Sequence, residues 1–119
     1  MINVRHGIVT GSGKGIGLAV VEKLLREKYY VTAITRSESK ELENLKKTFK
    51  KKLVIIYQDL EKIYDLKKLL SNIFKTKPIS FLINNAGIRC RSSLDDLEYN
   101  DLITVHNINF LSPFFITKE

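Results

Sequence analysis

Four short runs rich in β-forming residues, His6 to Thr10, Val31 to Thr35, Leu53 to Tyr57 and Ile79 to Ile83, alternate along the chain with longer segments of helical periodicity. Each run is too short for a helix and is bounded by glycine, proline or charge. Between them apolar residues recur at intervals of three and four: Ile16, Val20 and Leu24, then Leu42, Leu45 and Phe49, then Ile63, Leu66, Leu70 and Phe74. The order β-α-β-α-β-α-β-α predicts right-handed crossovers between buried parallel strands, a doubly wound α/β sheet. After Gly87 a polar stretch, Arg89 to Asp96, is expected to loop over the carboxyl edge of that sheet. A fourth helix should follow with Leu97, Leu102, Val105 and Ile108 facing inward, and Pro113 should kink or stop it.

At 119 residues the chain has the size of one domain, taken here as 1–119. With 44% hydrophobic and 28% charged residues it reads as globular. No apolar run approaches the roughly 18 residues of a membrane span, and the segment from Met1 to His6 lacks the apolar stretch of a secretory signal, so a cytoplasmic protein is expected. The lone Cys90 allows no internal disulfide, and with only His6 and His106 beside it no metal site is expected. Twenty basic residues against thirteen acidic give +7. Lys46, Lys47, Lys50, Lys51 and Lys52, however, crowd the end of one predicted helix, where they suit the negative end of its dipole. A nucleic acid partner is therefore not expected; a basic field can equally steer an anionic small molecule such as a nucleotide phosphate.

Directly after the first run stands Thr10-Gly11-Ser12-Gly13-Lys14-Gly15-Ile16-Gly17, opening the first helix. Amides at a helix N-terminus attract anions, and glycines let a pyrophosphate approach the backbone. A phosphate-binding P-loop would need glycine where Ile8 stands and Ser or Thr where Gly15 stands. The fingerprint G-x-G-x-x-G fails as well, since its last place falls on Ile16 or Leu18. What remains is G-x-x-x-G-x-G. A ligand-free tight turn is the bland reading, but it does not call for four glycines in seven residues.

The segment resembles the cofactor loop of short-chain dehydrogenases/reductases, T-G-x-x-x-G-I-G, at every place from Thr10 to Gly17. A second motif of that family, Asn84-Asn85-Ala86-Gly87, follows the fourth run, and Asn109 to Lys118 is similar to its helix carrying an active-site asparagine. The resemblance runs from about residue 5 to the last. It implies a Rossmann-like sheet and a nicotinamide dinucleotide held by Thr10, Gly11, Ser12, Lys14, Gly15, Ile16 and Gly17, with Asn85, Ala86 and Gly87 beside the ribose. In such proteins the residue ending the second strand reads the adenosine ribose: an acid favours NAD, a base the 2′-phosphate of NADP. Arg36 holds that place here, followed by Ser37, and Lys14 is a second cation suited to the phosphate. NADP is therefore expected over NAD. Asp59, followed by Leu60, is either an adenine contact implied by the resemblance or a helix N-cap; both readings stay open.

Hydride transfer in the family further needs a serine and a Tyr-x-x-x-Lys pair besides the asparagine matched by Asn109. Tyr64 and Lys68 have the spacing, but they fall on the predicted third helix, where the resemblance places no catalytic group. Ser92 and Ser93 precede Asn109 and are poor candidates for the serine, and Cys90 is expected to be a buried or bystander thiol. The expected reading is therefore the cofactor-binding half of an NADP-dependent oxidoreductase, truncated after the fourth strand and its following helix and inactive alone. The alternative is a non-catalytic nucleotide-binding or interaction module, a pseudoenzyme. In either case the fourth strand becomes a sheet edge, through which a homo-oligomer or a complementing C-terminal chain could pair.

Overall fold

The computed structural model describes residues 5–75 and 77–119, with the side chain of Phe74 outside that description. Strands β1 (His6–Thr10), β2 (Tyr30–Thr35), β3 (Leu53–Tyr57) and β4 (Phe81–Ile83) form one parallel sheet in the order β3-β2-β1-β4. The register runs Val54–Thr32–Ile8–Leu82 across all four strands. The chain builds outward from β1 to β3, then crosses to the other side of β1 for β4. This reversal leaves a crevice above the carboxyl ends of β1 and β4.

Alternate strand residues feed two cores, as the pleat requires. On one face Val9, Val31, Ala33 and Leu53 pack with Val21 and Leu25 of α1 (Gly15–Arg26) and Leu42 of α2 (Lys40–Phe49). On the other, Ile8 and Ile34 meet Leu66, Leu70 and Ile73 of α3 (Ile63–Phe74) and, from further along, Ile116. Each fully buried aliphatic side chain contributes about 1.5–3 kcal/mol.

The inward stripe of α1 is Gly17, Val21 and Leu25, one position later than periodicity predicts, and Ile16 is 76% exposed. The cause is Gly17: without a Cβ it brings the first turn of α1 against the Gly11 carbonyl and rotates Ile16 outward. α2 opens on Ser39, whose hydroxyl accepts the Leu42 N–H. Of the lysines near its end, Lys46 donates to the Leu53 carbonyl, while Lys50, Lys51 and Lys52 form a 3₁₀ turn into β3.

The last helical region does not stop at Pro113. Helix α4 (Tyr99–His106) continues through a π-helical turn, Asn107–Leu111, into α5 (Ser112–Lys118). Proline has no N–H for the helical ladder, and the wider turn before it absorbs the mismatch, with the Ser112 N–H reaching the Asn107 carbonyl five residues back. Leu97 precedes this helix and Leu102 is half exposed; the buried side is Ile108, Ser112 and Ile116. Among the described residues no helix is long and apolar enough to cross a membrane.

Candidate functional site: a cleft at the carboxyl ends of the strands

The loop from β1 into α1 depends on two left-handed glycines, Gly11 at φ +62° and Gly15 at φ +56°. A Cβ on Gly11 would come within 2.7 Å of the Ala86 Cα, whereas one on Gly15 would meet nothing within 4 Å. Gly11 is therefore needed for packing, and Gly15 leaves the rim open. No side chain caps α1 and its first turn holds no acidic residue, so its leading amides form an electropositive end.

Side chains around the loop hold it to its neighbours. The Thr10 hydroxyl accepts the backbone N–H groups of Asn85 and Ala86 at 3.1 and 3.0 Å. The Asn85 amide donates to the Gly11 carbonyl at 3.0 Å, and the buried Ser12 hydroxyl donates to the Ile34 carbonyl at 3.0 Å. Ser39 completes the set by donating to the Gly13 carbonyl at 2.6 Å. Thr10, Ser12 and Asn85 thus tie β1, β2 and the β4 loop together with their side chains, leaving glycines and backbone amides to face outward.

What they frame is a cleft of about 570 Å³ along the carboxyl ends of the strands. Gly11, Gly13 and Lys14 line it from the β1 loop, and Arg36 and Ser37 from the end of β2. Asp59 and Leu60 contribute from beyond β3, and Ala86 and Gly87 from beyond β4. Lys14 and Arg36 are exposed, and no ion pair among the described residues engages either. The Asp59 carboxylate accepts the Glu61 N–H at 3.0 Å, closing a tight turn; it does not cap α3, whose first residue is Ile63. Of the expected site residues, Thr10, Ser12, Gly15, Ile16, Gly17 and Asn85 stay off the lining: Ile16 is exposed to solvent, and Gly17 packs on the Gly11 carbonyl.

Asn109 sits in the π-helical turn and grips the loop after β4. Its Oδ1 accepts the Ile88 N–H at 2.8 Å and its Nδ2 donates to the Ile88 carbonyl at 2.6 Å. Ile88 and Ile108 both line the cleft, as do Thr35, Glu38 and Gln58, which sequence reasoning missed. Their common signal is position: each follows a strand or neighbours a motif residue. Ser39 was legible only as a helix cap, since its bond to Gly13 spans 26 residues.

The remaining candidates lie elsewhere. Tyr64 is 98% exposed on α3. Cys90 is exposed, not buried, within a stretch, residues 89–96, that is exposed throughout; its Sγ lies 3.3 Å from the Ser92 hydroxyl. Among the described residues no group of three or more His, Cys, Asp or Glu could hold a metal ion.

The family model for short chain dehydrogenases matches residues 5–119. A benzil reductase ((S)-benzoin forming) of Bacillus cereus is 32% identical over 97% of this chain and 49% of its own length. Among solved structures, 4-hydroxyisoleucine dehydrogenase complexed with NADH superposes with a TM-score of 0.88 at 23% identity, covering 96% of this chain and 46% of that one. A blue fluorescent protein from a metagenomic library, in complex with NADPH, gives 0.88 at 24% identity over 98% of this chain and 50% of that one. The chain thus spans about half the length of these relatives.

Proposed function

This chain belongs to the short-chain dehydrogenase family, and on that premise we propose that it binds a nicotinamide dinucleotide in the strand-end cleft, preferring NADP(H) to NAD(H). The observation that carries the reading is that Lys14 and Arg36, two cations without ion pairs among the described residues, line one cleft beside the uncapped start of α1, where Gly15 leaves open space. A diphosphate would lie against the amides that open α1, where a Cβ at Gly15 would intrude on it. Arg36 and Lys14 would hold the 2′-phosphate, Arg36 through its planar fork and Lys14 as a point charge. Glu38 on the same cleft opposes a phosphate, so the preference rests on the two cations outweighing it. Ser37 flanks the ribose, Asp59 and Leu60 border the adenine, and Ala86 and Gly87 give room for the second ribose.

When bound, the nicotinamide supplies or accepts hydride at an alcohol or carbonyl carbon. This chain's contribution to that reaction is positional. Asn109 holds the Ile88 backbone with its side chain, and Pro113 has no N–H to offer the Asn109 main-chain carbonyl four residues before it. That carbonyl is an acceptor suited to holding a water in a proton relay. The described residues hold no serine and Tyr-x-x-x-Lys set near Asn109, so the 119-residue chain is read as a binding unit. The edge of β4, half-buried at Phe81, Leu82 and Ile83, suits pairing with a further strand.

Calorimetry on the folded chain tests the reading. NADPH should bind more tightly than NADH, and no carbonyl reduction should be seen. Equal affinities or tighter NADH would remove the role of Arg36 and Lys14, and no heat from either would remove the site. Turnover by the 119-residue chain would overturn the binding-only reading. Co-purification with a chain carrying serine and Tyr-x-x-x-Lys would favour a split enzyme, and a cofactor-bound homodimer would favour a non-catalytic module.

A further inference from the structure

At the amino ends of the strands, opposite the dinucleotide cleft, lies a second cavity of about 330 Å³, within the range of small-molecule sites. Its walls are Val54 and Ile56 of β3 and Leu69 and Ile73 of α3, and its polar rim is Lys51, Lys52, Lys77 and Asn72. Val54 is 47% exposed although it lies on the sheet face that α3 covers further along, so an apolar floor is left open. No acidic residue lines the cavity, and no ion pair among the described residues engages its three lysines. Lys77 lies over the Tyr30 ring, 3.5 Å from its centroid, which holds its charge at the mouth.

The second observation is His6, which also lines this cavity. It is 5% exposed; its Nε2 lies 2.7 Å from the Thr32 hydroxyl, while Nδ1 has no hydrogen-bond partner of ordinary geometry. The Lys77 backbone lies near the ring without closing an ordinary hydrogen bond to it, so a better-placed partner for Nδ1 would be favoured. In the tautomer where Thr32 donates to Nε2, the neutral ring carries its proton on Nδ1, a donor free to serve an anionic head group.

We propose that this cavity is a binding site for a small amphiphilic carboxylate, its aliphatic body on Val54, Ile56, Leu69 and Ile73 and its head group between Lys52, Lys77 and His6. The lysines provide the charge complementarity and the open apolar floor provides the body's contact. Strands of five and six residues separate this site from the dinucleotide cleft, about 15–20 Å at the usual rise. Both can therefore be occupied at once.

Sodium octanoate titrated into the ¹⁵N-labelled 119-residue chain is the test, with 1-octanol as the uncharged control. Saturable shifts are expected at the amides of Thr32, Val54 and Asn72, with octanol weaker by about tenfold for want of its charge-assisted contacts. The double variant Lys52→Gln, Lys77→Gln should lose octanoate by a similar factor while its free spectrum stays dispersed. Val54→Phe, at an already half-exposed position, should fill the floor and block binding. Absence of saturation, shifts centred on Gly11 to Lys14, octanol as tight as octanoate, or undiminished affinity in either variant would each overturn the proposal.

Discussion

Asn109 and Ile88 form a closed pair of hydrogen bonds, side-chain amide to backbone N–H and C=O, across 21 residues of sequence. The π-helical turn carries this amide to the Ile88 backbone in the loop after β4. Replacing Asn109 by Ala removes both bonds at a solvent-exposed site, where a net loss of about 1–2 kcal/mol is expected. Asn109→Asp keeps the acceptor but sets a carboxylate against the Ile88 carbonyl, so it should be no more stable than Ala. Urea unfolding gives the magnitude, and faster hydrogen exchange at the Ile88 amide locates it.

Gly11 and Gly15 have nearly the same φ but different surroundings, which separates folding from binding. Gly11→Ala adds left-handed strain of about 1–2 kcal/mol and pushes a methyl to 2.7 Å from the Ala86 Cα, so the variant should be severely destabilised. Gly15→Ala carries the same strain with no clash and should fold with a midpoint only slightly lowered. Its NADPH affinity should nevertheless fall by about tenfold or more, since its methyl stands where the diphosphate would approach. A Gly15→Ala protein with full affinity would place the diphosphate elsewhere.

Arg36→Asp should invert cofactor choice. The substitution removes a cation from the 2′-phosphate position and offers an acceptor to a ribose hydroxyl. NADPH affinity is expected to drop about a hundredfold, two charge-assisted contacts' worth, with NADH unchanged or tighter. Lys14→Ala should weaken NADPH by a smaller factor. Parallel titrations at low and physiological salt check both, because the contribution of an exposed cation shrinks with ionic strength.

The sheet was legible because central parallel strands, buried throughout in β1 and nearly so in β2, leave continuous apolar runs, and β1 to β3 fall where those runs lie. The fourth run shortens to Phe81–Ile83 because only β1 pairs with it, and Ile79 stays outside the ladder. The rotation of α1 escaped periodicity since it is set by contact between Gly17 and Gly11, which hydrophobicity does not encode. At Pro113 helical structure continues where a stop was one of the expectations, because the π-helical turn before it accommodates the missing N–H. In the cleft, motif positions were readable, but the division of labour was not. Thr10, Ser12 and Asn85 turn their side chains to backbone partners 22 to 76 residues away, pairings that only the folded chain brings together.

His6 makes stability pH-dependent in a calculable direction. Burial, and then the charge of Lys77, hold its pKa below the ordinary value of 6.5, while the Lys77 backbone opposes them in part. The unfolded chain therefore binds a proton at His6 that the folded chain resists, and folding stability rises with pH across that window. Its contribution is complete above about pH 6.5 and is lost as pH falls from there to the lowered folded value. Urea midpoints between pH 7.5 and 5, compared with those of His6→Gln, which cannot titrate, should show a steeper acid-side fall in the wild-type chain. Octanoate, if seated against Nδ1, would supply the anion that the protonated ring lacks, so the same comparison repeated at saturating octanoate should show a shallower fall in the wild-type chain and no change of slope in His6→Gln.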